Sequence, residues 1–216
     1  MTEAEWLACA DPQKMLELLR GKASDRKLRL FGCASCRRFD TLLSAEERKA
    51  VDMAEAYAEC EATADEFANA FRATWLLTDD AYRDAAGSAA RHTAFRDAFG
   101  AAEAASCNAD AAGKKSVGRA KERAVQAGLL RDIFGNPFRP VSLDPAWRTP
   151  TVTALARAAY EERILPAGHL EPDRLAILAD AFEDAGCGLA DILSHCRGPG
   201  PHVRGCWVID LLLEKE

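Results

Sequence analysis

The stretch HCRGPGPHVRGCW, His195 to Trp207, gathers two histidines, two cysteines, two prolines and three glycines into thirteen residues. Imidazole nitrogen and thiolate sulfur are the donors that zinc prefers, and the intervening RGPGP is stiff enough to hold an unusual backbone path. A second pair, Cys33-x-x-Cys36, has the spacing shared by zinc half-sites and thiol redox centres. A redox pair usually opens a helix, where the amide dipoles stabilise the thiolate, whereas Leu28 and Phe31 imply that the helix here has already run two turns. The metal set this suggests is Cys33, Cys36, Cys196 and Cys206, with His202 as an alternative ligand, tying the C-terminal loop to an N-terminal helix. Spacing alone favours a plainer reading, in which the thiols pack as small hydrophobes and the histidines bond to backbone carbonyls or water. No cofactor is required, and zinc is the one the residues allow.

The same loop admits a third use. Gly198, Gly200 and Gly205 can turn backbone N–H groups into a concave nest suited to an anion or a partner's carboxylate. The partner contacts this implies are Arg197, His202, Arg204 and Trp207, although a simple sharp turn explains the glycines equally well. A basic stripe, Arg26, Lys27, Arg29, Arg37 and Arg38, could face phosphates. Without interleaved aromatics it reads more readily as the solvated back of an amphipathic helix. The net charge of -6 and pI near 5.4 also argue against a general polyanion binder. P-loop, zincin, nucleophile-elbow and Glu-x-x-His motifs are missing from the sequence, so no catalytic residue is assigned.

Start and stop signals cut the chain into helices that must position these groups. Asp11-Pro12 opens one that ends near Arg20 with Gly21 as cap, and Ser24 or Asp25 opens the helix bearing Cys33 and Cys36. Ser44-x-x-Glu47 and Thr63-x-x-Glu66 are capping boxes. From Ser44 to about Phe134 the chain is Ala-rich and favours antiparallel helices, with breaks or weak points expected at Gly87, Gly100 and Gly113. SCNADAAGKKSVG, residues 106 to 118, has the composition of a mobile loop. IFGNPFRPVSLDPAW, residues 133 to 147, cannot be continuous helix and should be an extended segment anchored by Phe134, Phe138 and Trp147. Helices follow from Pro150 to about Ile164, Pro172 to Ala185 with Gly186 as cap, and Leu189 to Cys196, and HVRGCWVIDLLLEKE supplies a last, buried one.

The fold expected is therefore all-α: a helical bundle over 1–132, a Pro-rich extended segment over 133–148 packed on the core, and a smaller C-terminal helical cluster over 149–216, together one globular unit. A composition of 49% apolar and 7% aromatic residues over 216 positions suits a core of Ala and Leu. The opening MTEAEWLACADPQK is acidic and amphipathic rather than leader-like, and no apolar run approaches the roughly 20 residues of a bilayer span. Eight cysteines in this context read as reduced thiols or ligands, and the protein as cytoplasmic.

Two segments, EAEWL…RKLRLFGCASCRR and LLRDIFGNPFRPV…HCRGPGPHVRGCWVIDLLLEKE, resemble a bacterial family much expanded in planctomycetes, and the Ala-rich middle is similar only in character. RLAILADAFEDAGC is also similar to a short helical motif that accompanies other domains in such bacteria. The resemblance brings no activity, cofactor or functional residue with it, and it favours an adaptor or regulatory role. The expectation is a non-catalytic helical module that binds a protein partner. A zinc-stabilised nucleic-acid-binding module and a helical enzyme with an unrecognised pocket are the alternatives.

Overall fold

The computed structural model describes residues 1–75, 85–93 and 97–215. Among these residues there are twelve α-helices and no strand, and extended backbone pairs only in two isolated bridges, Ile164 with His169 and His169 with Val203. No described helix is long and apolar enough to cross a membrane.

The helix starts follow the capping chemistry. Thr2 and Glu5 form a reciprocal box at α1 (Glu3–Ala8), Asp11 accepts from the Gln13 N–H at α2 (Pro12–Leu19), and Ser24 accepts from Lys27 at α3 (Asp25–Arg37). Ser44 and Glu47 cap α4 (Ala45–Ala58), and Thr63 and Glu66 cap α5 (Ala64–Trp75). There follow α6 (Ala85–His92), α7 (Ala98–Ser116) and α8 (Arg119–Phe134), then α9 (Pro150–Glu161), α10 (Pro172–Asp184), α11 (Ala190–Cys196) and α12 (Trp207–Leu213). Gly21 and Gly186 stand just past the ends of α2 and α10 with positive φ.

Three expectations fail on local grounds. The stretch expected as a mobile loop, residues 106 to 118, lies mostly within α7, because Ala105, Ala109 and Ala112 form a buried stripe whose packing outweighs the polar composition around it. Gly87, Gly100 and Gly113 lie inside helices instead of breaking them. Gly100 belongs to the first turn of α7, where its N–H donates to the Asp97 carboxylate at 2.8 Å. In the proline segment, Phe134 and Trp147 pack against the core, but Phe138 is 41% exposed and anchors nothing.

The buried side chains fall into three clusters. One is built from residues 152 to 212, including Val152, Tyr160, Leu178, Phe182, Ile192 and Ile209, with Val141, Leu143 and Trp147 of the proline segment packed on it. A second joins Trp6, Met15, Phe31 and Leu130 with one C-terminal residue, Val203. The third surrounds Cys33 and Cys36 with Val51, Phe67 and the alanines of α6 and α7. Helix α3 feeds two of these cores and packs against α4, α6, α7 and α8. Each large side chain so buried contributes about 1.5–3 kcal/mol. Val203 marks where the C-terminal loop crosses onto the N-terminal bundle, and the polar groups gathered there lie beside that crossing.

Candidate metal centre

Asp132, His195, His202 and Cys206 bring one ligand atom each within 4.8 Å of one another. Asp132 projects from the last turn of α8, His195 from the last turn of α11, His202 from the loop between α11 and α12, and Cys206 immediately precedes α12. His202 Nδ1 lies 2.7 Å from Asp132 Oδ1. His195 Nε2 stands 3.2 Å from that same oxygen and 3.2 Å from Cys206 Sγ. Asp132, His202 and Cys206 are buried, while the His195 side chain is 17% exposed.

The loop reaches this point through two constraints. Leu170 N–H donates to His202 O at 2.8 Å, and Val203 N–H donates to Asp132 Oδ2 at 2.9 Å. Gly205 then turns the chain with φ +87, and a Cβ there would meet Leu30 Cδ1 at 3.0 Å, so both backbone shape and space call for glycine. Gly135 plays the same part at the end of α8, where φ is +63 and the Trp207 ring would lie 3.1 Å from a Cβ.

Two of the four donors are oriented from behind. Asp132 Oδ2 is held by Val203 N–H, which leaves Oδ1 for the centre. His202 Nε2 faces Gly198 O at 3.3 Å, which places its hydrogen there and aims Nδ1 inward. Both ring nitrogens of His202 thus face acceptors, and a positive charge, proton or metal ion, belongs between Nδ1 and Asp132. Burial alone would raise the Asp132 carboxyl, but hydrogen bonds from His195 and His202 and their charges bring it below its ordinary range. Burial works against a charged His202, yet the bond and charge of Asp132 raise it above the usual histidine value. The Cys206 thiol is pushed well up by burial, with Asp132 adding to the effect and the N–H groups of Ile209 and Val208 opposing it.

This donor set fits a tetrahedral transition-metal ion. Bonds of about 2.0–2.3 Å imply donor–donor edges of roughly 3.3–3.8 Å, a range that the observed separations, from 2.7 Å to at most 4.8 Å, bracket. One carboxylate and one thiolate would balance a divalent charge. The group does not suit nucleophilic catalysis by Cys206, because a fully buried thiol with a raised pKa is unreactive. Asp132 also meets His195 at Nε2, the nitrogen facing the sulfur, rather than orienting the ring from Nδ1.

The four-thiol set expected from the sequence does not gather. Cys33 and Cys36 lie in the cluster bounded by α4 to α7, where Cys33 Sγ contacts Val51 O at 3.7 Å, and burial raises both thiols. Cys196 is packed in the C-terminal core, and burial pushes its thiol up to about 12. Only Cys206 and the alternative ligand His202 reach the centre. Asp132 carries no local signal in its helix, and its partners come from 63 to 74 positions further along the chain.

The basic stripe is neither a phosphate-facing surface nor a solvated back, because each of its cations is turned inward to a protein acceptor. Arg26 bridges Glu59 at 2.8 Å and Asp210 at 2.7 Å, and Lys27 donates to Ile133 O at 2.9 Å. Arg29 donates to Thr93 O at 2.8 Å, Arg37 pairs with Glu55 at 2.8 Å, and Arg38 pairs with Glu122 at 2.8 Å. Among the expected partner contacts, His202 is buried, Arg197 is exposed but pairs with Asp180 and Glu183, and Arg204 lies over the Tyr160 ring. Trp207 is half-buried beside His195, their ring centroids 5.2 Å apart.

Two clefts open next to the centre. The larger, about 690 Å³, is lined by Trp207, Phe134 and Val141 together with Arg131, Ser194 and His195. The smaller, about 560 Å³, runs along α8 and the RGPGP loop and includes Arg131, Asp132, Ser194, His195 and His202. Comparison of the chain with protein-family models, curated proteins and solved structures finds no match.

Proposed function

We propose that this protein is a zinc-clasped, non-catalytic helical interaction module of the cytoplasm. Asp132, His195, His202 and Cys206 hold the ion, and the ion holds the C-terminal loop against α8. The observation that carries this reading is the convergence of a carboxylate, two imidazoles and a thiol within 4.8 Å at the crossing between the two parts of the chain. Four protein donors leave no coordination position open for water or substrate, as in a structural zinc site, which favours binding over catalysis. Buried free thiols at Cys33, Cys36, Cys187, Cys196 and Cys206 suit a reducing compartment. The larger cleft, with an aromatic and apolar wall, offers the surface for a protein partner. A nucleic-acid role loses its support, because the stripe that would meet phosphates turns to internal carboxylates and backbone carbonyls.

Elemental analysis of the purified protein should find about one zinc per chain, and chelator should lower the melting temperature. Protein without metal after zinc loading, melting identically in chelator, would reject the clasp.

A further inference from the structure

The four donors are not equivalent, and the difference falls on one side of the centre. Asp132, His202 and Cys206 are each no more than 4% exposed, and Asp132 and His202 are each held by a backbone group on the far side from the centre. His195 is 17% exposed, and its second ring nitrogen, Nδ1, has no hydrogen-bond partner among the described residues. It sits on a helix of seven residues, and both clefts reach its side chain. A ligand ring is normally locked by a bond at its far nitrogen, and losing such a bond lowers metal affinity about 10–100-fold. His195 lacks that lock, whereas His202 has it.

Resting on the zinc reading above, we infer that His195 is an exchangeable fourth ligand and that a carboxylate entering from the clefts takes its place on the ion. The anionic class follows from charge and surroundings. With Asp132 and Cys206 bound, a divalent ion is already neutral, so an incoming anion needs a separate cation. Arg131 is that cation, for it lines both clefts beside His195. Its Nη1 is held by Trp6 O and Cys9 O at 3.2 and 2.9 Å, and its Nε and Nη2 have no protein acceptor among the described residues. Trp207, Phe134 and Val141 offer an apolar wall to whatever carries the carboxylate. The exchange makes one metal–oxygen bond and breaks one metal–nitrogen bond, and nothing is oxidised or reduced.

The test uses the full chain loaded with Co(II), whose visible bands report the ligand set. Acetate, and a short apolar peptide with a free C-terminus, should shift the bands saturably, while the same peptide amidated should not. A response to acetate alone would assign a small free carboxylate, and a tighter response to the peptide would assign a protein terminus. His195→Ala should keep the ion, held more weakly than in the wild type, and should bind acetate and imidazole more tightly than the wild type does. Cys206→Ser and Asp132→Asn should lose the ion. Bands indifferent to both acids in wild type and His195→Ala alike, or a His195→Ala protein as metal-free as Cys206→Ser, would overturn the exchange while leaving the clasp intact. A wild-type chain that takes up no metal would overturn both.

Discussion

The chain carries cysteines at two places that look chemical, Cys33-x-x-Cys36 in α3 and the Cys196–Cys206 loop, and only the second meets other donors. The α3 pair has the more familiar spacing, yet alanines, Val51 and Phe67 surround it, and burial leaves its thiols neutral. The loop has no standard spacing, yet it delivers His202 and Cys206 to Asp132 and His195. A metal site is defined by what the fold brings from elsewhere, and a pair of thiols in one helix supplies at most half of it. The same contrast holds for charge. Arg26 and Arg37 of α3 face inward onto buried carboxylates, while Arg197 of the loop pairs with Asp180 and Glu183 at the exposed surface.

The sharpest way to break this contrast is to exchange the fates of the thiols. Cys206→Ser should abolish zinc retention, whereas Cys36→Ala should retain one zinc per chain and lose only stability, by elemental analysis after gel filtration. If Cys36→Ala also emptied the site, the α3 pair would not be mere packing. If Cys206→Ser kept its zinc, the loop would be no more chemical than α3.

Next in size is the charge on the α3 side. Glu55 is buried between Arg37, at 2.8 Å, and Arg163, at 3.0 Å. Glu55→Ala leaves the largely buried Arg37 guanidinium short of a partner, a change that costs about 3–5 kcal/mol, here toward the lower end because Asp52 remains 2.7 Å away. Urea unfolding at pH 7 measures it. The same carboxylate gives a pH signature. Burial would raise the Glu55 carboxyl, but the Arg37 bonds and charge, with those of Arg163, hold it below its ordinary value. A folded-state pKa below the unfolded value of about 4.3 means that the stabilisation is complete above that pH and is lost as pH falls through the folded value. The stability gap between wild type and Glu55→Gln should therefore stay constant from pH 7 to about 5 and narrow below about 4. A gap that widened in acid would reverse the sign assigned to this pair.

How far the sequence could be read follows the same division between local and distant causes. Capping boxes at Ser44 and Thr63, the Asp11-Pro12 and Thr149-Pro150 starts, and the stops near Gly21 and Gly186 are local, and all of them stand in the fold. Residues 106 to 118 misled because polar composition is a local signal, whereas the burial of Ala109 and Ala112 depends on α3 and α6 lying alongside. The inward turn of Arg26 was hidden for the same reason, since its acceptors Glu59 and Asp210 lie 33 and 184 positions away. The loop from His195 to Trp207 was legible as the place to look, because its residue types are themselves donors. Asp132 was not, since an acidic residue late in an amphipathic helix has no mark until the loop arrives beside it.

The smallest effect sharpens the contrast from the other end. Arg197 pairs with Asp180 at 2.6 Å and Glu183 at 2.5 Å, geometry as close as that of any arginine in α3. Its side chain is 40% exposed, so water and salt screen the attraction, and fixing a long side chain offsets much of what is left. Arg197→Ala should leave the urea midpoint unchanged, in low salt and in high, even though Arg197 stands next to Cys196 and begins the loop that carries two of the four donors. Zinc content should be unchanged as well, because neither of the backbone groups that orient Asp132 and His202 is its own. A clear loss of stability or of metal in this variant would mean that the outer charges of the loop help to hold the clasp, and the division between inner and outer arginines would have to be redrawn.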